Sequence, residues 1–157
     1  MLRIGLGFDT HKLTSSRKLI IGGIHIPCHY GCDGHSDADV LIHAICDALL
    51  GASGQRDIGY HFPDTDDRYK DIDSAILLQQ THCLLVEKQW KIENIDASVI
   101  LQQPKLAPYI PQMQTKLAHL LSLETDCINI KAKTSERLGF IGREEGVSAY
   151  AIALLSR

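Results

Sequence analysis

The chain has 157 residues, 45% of them hydrophobic and 22% charged, the proportions of an ordinary globular protein with one real core. A net charge of −3 offers no basic field for nucleic acid, and no apolar run reaches the length of a membrane span, so both kinds of partner are set aside. The five cysteines, Cys28, Cys32, Cys46, Cys83 and Cys127, are odd in number and scattered, which argues against a disulfide framework.

Leu2–Phe8 reads as a strand that starts at once, leaving no stretch for a leader, so the expected location is cytoplasmic. Leu19–Ile26 reads as a hairpin turning at Gly22-Gly23. Asp37–Gly51 reads as a helix capped by Ser36 or Asp37, with Val40, Leu41, Ala44, Ile45, Ala48 and Leu49 on its apolar face. Asp39, His43 and Asp47 form a separate polar stripe on it. Gln55–Asp73 is polar, rich in Asp and long, the profile of a functional loop. Asp73 caps a second helix, Ser74–Lys88; Trp90–Gln103 is a strand, Pro108–Leu121 a third helix and Cys127–Thr134 a strand. Gly139–Glu145 is a loop, and Val147–Leu155 fits strand or helix, with strand favoured by its alternation. The order β–ββ–α–α–β–α–β–β lacks regular alternation. The expected fold is a single α+β sandwich over 1–157: a mainly four-stranded sheet with helices on one face, plus a small hairpin.

The chemistry begins at Asp9-Thr10-His11. Two residues apart on a strand, Asp9 and His11 share a side. His43, on the first helix, would complete three ligands with one position open, the arrangement of a catalytic zinc. A salt-bridged surface pair is the other reading of Asp9 and His11. Cys28, Cys32 and His35 supply only three ligands without a second pair, and read as reduced residues instead. His35-Ser36-Asp37 precedes a helix, where free N–H groups favour phosphate; Ser36 could equally be a cap. Asp57-Ile58-Gly59 and His61–Asp66 offer carboxylates and a glycine that a ligand can approach, or else a solvated acidic loop. Gln102-Gln103-Pro104-Lys105 ends a strand. Lys133-Thr134-Ser135-Glu136 supplies a cation, two hydroxyls and a carboxylate suited to a phosphate and a divalent ion.

These segments together resemble the 2-C-methyl-D-erythritol 2,4-cyclodiphosphate synthase family of the non-mevalonate isoprenoid pathway. The resemblance is carried by Gly5–His11, Ile21-Gly22-Gly23, His35–Val40, Asp47–Ala52, Asp57-Ile58-Gly59 and Phe62–Asp66. It continues through Pro104-Lys105, Ile110–Met113, Asn129–Thr134, Glu136–Phe140, Gly142-Arg143 and Glu145-Gly146. It implies release of CMP from a cytidine diphosphate-linked substrate, by attack of the 2-phosphate on the β-phosphate. It implies Zn²⁺ on Asp9, His11 and His43, beside the substrate, and Mg²⁺ or Mn²⁺ on Glu136. His35 and Thr134 would position the reacting phosphates, and His35, Ser36, Asp57 and Gly59 the methylerythritol end, under a closing loop with Phe62, Asp64 and Asp66. Leu101, Pro104, Lys105, Leu106, Ala107, Lys133, Thr134 and Ser135 would hold the nucleotide. The family's homotrimers form their sites between subunits, and Phe140 and Arg143 would line a central cavity able to take an isoprenoid diphosphate. Ala38 departs from the usual glycine, and Lys133 and Ser135 vary around Thr134. Without the resemblance, a metal-dependent phosphohydrolase or a zinc-stabilised binding module also fits these residues.

Overall fold

The computed structural model describes residues 1–157. In chain order the elements are β1 (Leu2–Thr14), β2 (Leu19–Ile21), β3 (Ile24–Ile26), β4 (Gly31–Asp33), α1 (Val40–Ser53) and α2 (Ile58–His61). There follow α3 (Ser74–Glu87), β5 (Lys91–Ile100), α4 (Ile110–Leu121), β6 (Ile128–Lys133), α5 (Gly139–Gly142) and β7 (Gly146–Ser156). A five-stranded sheet runs β4-β1-β7-β5-β6, with β2 and β3 as a separate hairpin. Only β5 and β6 are parallel; β1 and β5 both flank β7 antiparallel. One row across the sheet holds Thr10, Ser148, Ile100 and Lys133.

The α+β fold with helices on one sheet face stands as expected, with particular differences. The sheet has a fifth strand, because Gly31–Asp33 pairs with Lys12–Thr14; three residues are too few for a periodic signal. Strand β1 does not stop at Phe8. Pairing with β7 carries it on to Lys12 and pairing with β4 to Thr14, so Asp9 and His11 lie within the strand. The first helix starts at Val40, not Asp37, and its cap is Asp39 rather than Ser36 or Asp37. Ala38 causes the delay, since its φ of 57° breaks helical geometry just ahead of the cap. That left-handed backbone is also where a glycine would be at ease. Asp39 is therefore no member of a polar stripe but is fully buried. The loop Gln55–Asp73 contains α2 and a 3-10 turn at Asp67–Tyr69, and the loop at Gly139 contains α5. The strand after Trp90 is shorter than expected at both ends, and Trp90 joins the core.

Close contact of α1 with β1 sets the depth of the fold. A Cβ on Gly5 would stand 1.9 Å from the Ala48 carbonyl oxygen, and one on Gly7 1.8 Å from that of Ala44. Only glycine on the strand and alanine on the helix permit this approach, which brings His43 against Asp9 and His11. Asp39 fixes the other side. Its Oδ1 accepts from Ile42 N–H at 3.0 Å and Gly22 N–H at 2.9 Å, and its Oδ2 from Gly23 N–H at 2.6 Å. One carboxylate thus caps the helix and holds the hairpin turn, where Gly22 and Gly23 both have positive φ.

The opposite face of the sheet is largely uncovered, with α5 reaching it only at the start of β7, where Phe140 lies against Gly146. There Leu2, Ile4, Leu6 and Phe8 of β1 and Tyr150 and Ile152 of β7 are 46 to 73% exposed. No helix is long and apolar enough to cross a membrane.

Candidate active site

Asp9, His11 and His43 converge. Asp9 Oδ2 lies 2.9 Å from His11 Nε2 and 3.1 Å from His43 Nδ1, and the two ring nitrogens are 3.1 Å apart. A tetrahedral zinc bonded at about 2.0–2.1 Å spaces its ligand atoms by roughly 3.3 Å. The triangle therefore fits the ion after a small expansion. Hydrogen bonds behind the rings suit the same purpose. The Asp33 carbonyl accepts from His11 Nδ1–H at 3.0 Å, which leaves Nε2 with its lone pair toward Asp9. Ser74 Oγ lies 2.9 Å from His43 Nε2, leaving Nδ1 free to face the triangle. The three side chains are 12 to 26% exposed, so the triangle is screened yet reachable. No other group of three His, Cys, Asp or Glu side chains converges in this way.

Burial raises the Asp9 carboxyl, but the hydrogen bonds and charges of His11 and His43 outweigh it and hold it at about 2. Burial lowers the His11 imidazole, and the bond and charge from Asp9 reverse this to raise it. Both shifts favour an ionised Asp9 beside a protonated His11, so this corner of the fold attracts positive charge. Cys32, in contrast, is buried and pushed up to about 12, chiefly by desolvation, which leaves it an inert thiol.

A cavity of about 400 Å³ opens beside the triangle, lined by His11, Gly34, His35, Ser36, His43, Ile58, Gly59, Phe62, Asp64, Tyr69 and Leu77. Of the residues expected at the site, His35, Ser36, Gly59, Phe62 and Asp64 line this cavity. Asp57 instead caps α2 through Tyr60 N–H at 2.9 Å, and Asp66 pairs with Arg68; neither lines the cavity. Asp47 accepts from Ile58 N–H at 2.7 Å and so anchors α2 to α1. Tyr69 and Leu77 were missed; neither carries a titratable or metal-binding pattern that would flag it. Phe62 packs edge-on to Tyr69 with ring centres 5.5 Å apart, forming an aromatic wall.

A second cavity, about 190 Å³, is lined by Leu101, Gln102, Pro104, Lys105, Leu106, Ala107, Ala132, Lys133 and Thr134. Tyr30 hydroxyl donates to the Gln103 carbonyl and fixes this loop, a contact no spacing could reveal. Ser135 hydroxyl is turned to the Leu138 carbonyl at 2.8 Å, outside the cavity. Glu136 accepts from Thr134 hydroxyl at 2.8 Å but is not brought to the Asp9 triangle, and no residue lines both cavities. Phe140 lines a third recess with Thr10, Lys12 and Glu145, while Arg143 pairs with Glu145 at 2.9 Å.

With this geometry in place, comparison with known proteins gives a consistent picture. The YgbB family model matches residues 2–156. A 2-C-methyl-D-erythritol 2,4-cyclodiphosphate synthase of Geotalea uraniireducens is 56% identical, over 99% of this chain and 99% of its own. Among solved structures, the bifunctional IspDF of Campylobacter jejuni matches at TM-score 0.95 and 42% identity, covering 99% of this chain and 42% of that one. The CDP complex of Plasmodium falciparum IspF matches at TM-score 0.87 and 34% identity, over 98% of this chain and 95% of that one.

Proposed function

Because the chain belongs to the YgbB family and is an enzyme with the cyclodiphosphate synthase activity of isoprenoid precursor biosynthesis, we propose how its residues divide that work. The substrate is 4-diphosphocytidyl-2-C-methyl-D-erythritol 2-phosphate. An oxygen of its 2-phosphate bonds to the β-phosphorus, closing the cyclic diphosphate. The bond from that phosphorus to the oxygen bridging it to the α-phosphorus breaks, and CMP leaves with the electron pair. Such a transfer asks for alignment and charge neutralisation rather than a protein nucleophile.

Asp9, His11 and His43 would hold Zn²⁺, and Glu136 Mg²⁺ or Mn²⁺. Bound there, the two ions would supply Lewis acidity and neutralise phosphate charge. His35, Ser36 and the Gly59 backbone bind and orient the methylerythritol phosphate within the first cavity. The Phe62–Tyr69 wall excludes water, which keeps a substrate phosphate rather than water as the attacking group. Leu101–Ala107 receive the cytidine, and Lys133 and Thr134 bind its diphosphate. The observation that carries this reading is the convergence of three ligand atoms beside a cavity with phosphate-binding groups.

Two further features support a homotrimer with sites between subunits: the uncovered apolar sheet face, and the division of the binding residues between two cavities. Phe140 and Arg143 would face its central cavity. We place this single synthase domain in the cytoplasm, in keeping with five free cysteines. A phosphorus NMR time course with the substrate, Zn²⁺ and Mg²⁺ tests the reading. Equimolar CMP and cyclic diphosphate support it. Inorganic phosphate would make the chain a hydrolase, and an unchanged spectrum from folded, zinc-loaded protein would leave a binding module.

A further inference from the structure

Behind His43 lies a chain of polar contacts that helix formation does not require. Ser74, the first residue of α3, is fully buried. The cap of that helix is its neighbour Asp73, whose side chain accepts from Ala75 N–H at 2.8 Å. The Ser74 hydroxyl is therefore free for another task. It donates to Asp37 Oδ1, so its oxygen accepts from His43 Nε2–H at 2.9 Å. Asp37 Oδ2 also accepts from Ser74 N–H at 3.1 Å. The sequence Asp37–Ser74–His43 is thus a carboxylate–histidine pair with a hydroxyl set between its two ends.

We propose that Ser74, held by Asp37, is a positioning residue that fixes the tautomer and ring orientation of His43 for metal binding. The inference rests on the reading of Asp9, His11 and His43 as metal ligands. A neutral imidazole can keep its proton on either nitrogen. A proton on Nδ1 would point into the triangle and block ligation there. An acceptor at Nε2 draws the proton to the far side. A hydroxyl already donating to a carboxylate is a better acceptor than a free one, because each bond polarises the next. Ser36 Oγ also lies near His43 Nε2, but at 3.2 Å, and it accepts from Ala38 N–H as well. Ser36 belongs to the cavity wall and can turn to a phosphate, whereas Ser74 is enclosed.

The same residues tie the loop above the cavity to the metal ligand. Asp71 N–H donates to the His35 carbonyl at 2.7 Å, and Asp37 N–H to the Ile72 carbonyl at 3.0 Å. The end of the Gln55–Asp73 loop is thereby fastened where Ser74 meets His43.

The test uses the full chain. Zinc affinity is measured by competition with a chromophoric chelator for the parent protein, Ser74→Ala, Asp37→Asn, the double variant and Ser74→Thr, with circular dichroism confirming the fold. Ser74→Ala should weaken zinc about 10-fold, as loss of a partner behind a ligand commonly does. Asp37→Asn should weaken it several-fold alone and no further once Ser74 is Ala, since Asp37 acts through Ser74. Ser74→Thr keeps the hydroxyl and should restore binding. A loss below threefold in Ser74→Ala, or full additivity in the double variant, overturns the proposal. Long-range proton–nitrogen NMR of the metal-free protein gives an independent reading. Asp9 Oδ2, 3.1 Å from Nδ1, competes for the His43 proton, so the share carried on Nε2 should be larger in the parent than in Ser74→Ala; equal shares in the two would overturn the relay. If the parent bound no zinc, the metal reading of the triangle would fail, and the NMR comparison would still decide the relay.

Discussion

Replacing Gly7 by alanine tests whether the approach of α1 to β1 builds the metal triangle. Gly7 does not have positive φ, so its backbone suits any residue. In open space the change would stabilise the chain by about 0.4–1 kcal/mol, by restricting its unfolded state. Here the new methyl would stand 1.8 Å from the Ala44 carbonyl oxygen and 2.6 Å from Ala48 N. Ordinary contact needs about 3.5 Å, so strand and helix must part by roughly 1.5 Å. Overpacking of this kind costs about 1–3 kcal/mol, enough to reverse the sign. At about 2–4 °C per kcal/mol for a domain of this size, calorimetry should show a fall of several degrees. Because metal geometry tolerates only about 0.2 Å, zinc affinity should fall at least 10-fold as His43 moves from Asp9 and His11. Gly51→Ala is the control. A methyl there meets nothing within 4 Å, and in a helix it should gain about 1 kcal/mol. A Gly7→Ala protein that melts at or above the parent and keeps its zinc affinity would refute the reasoning.

Asp39→Asn should lower the melting temperature on the order of 10 °C, because an amide cannot accept all three N–H bonds that Asp39 receives; an unchanged melting curve would contradict its role as a clamp. In chelated protein, the raised imidazole of His11 contributes stability fully below its ordinary 6.5 and loses it as pH climbs through the folded value. The depressed carboxyl of Asp9 contributes above its ordinary 3.8 and loses this only toward about 2, so it adds no slope above pH 6.5, where loss of the His11 proton should lower the melting temperature. His11→Asn should flatten that slope. Ile4→Asp places a charge on the uncovered sheet face, where Ile4 is 73% exposed, and should leave the single chain folded while sedimentation shows a smaller species.

The convergence of Asp9, His11 and His43 was legible because two of them share a strand face and the third stands on an amphipathic helix; all three are residue types able to bind a metal at set spacings. The residues that aim these ligands were not. Asp33 acts through its backbone carbonyl, which has no sequence signature, and Ser74 reaches His43 from a helix start where serine is unremarkable by composition. Asp39 was misplaced for a related reason. Its spacing to His43 and Asp47 fits a polar helix stripe, but the turn at Ala38 moves it to the cap, where burial among N–H donors gives the same residue a different task. The aromatic wall at Tyr69 and the brace at Tyr30 are long-range contacts that only the folded chain makes.

The proposed assembly follows from what the single chain leaves unfinished. Thr10 and Lys133 sit in one row at the same end of the sheet, three strand spacings apart, or about 14 Å. The metal triangle lies near one end of that row and the second cavity near the other, with Ser148 and Ile100 between them. A substrate joining a nucleotide to a phosphorylated sugar through one diphosphate must meet both kinds of wall at once. The chain does not fold its second cavity onto its first, and it leaves apolar residues of β1 and β7 uncovered on the side away from its helices. Burying that face against copies of itself would supply hydrophobic stabilisation that a lone chain lacks, and would set one copy's Leu101–Thr134 cavity beside another's Asp9–His43 triangle. In such an assembly the face that drives association and the geometry that completes the site are one feature. Dilution that separates subunits should then abolish turnover while leaving zinc bound to each chain.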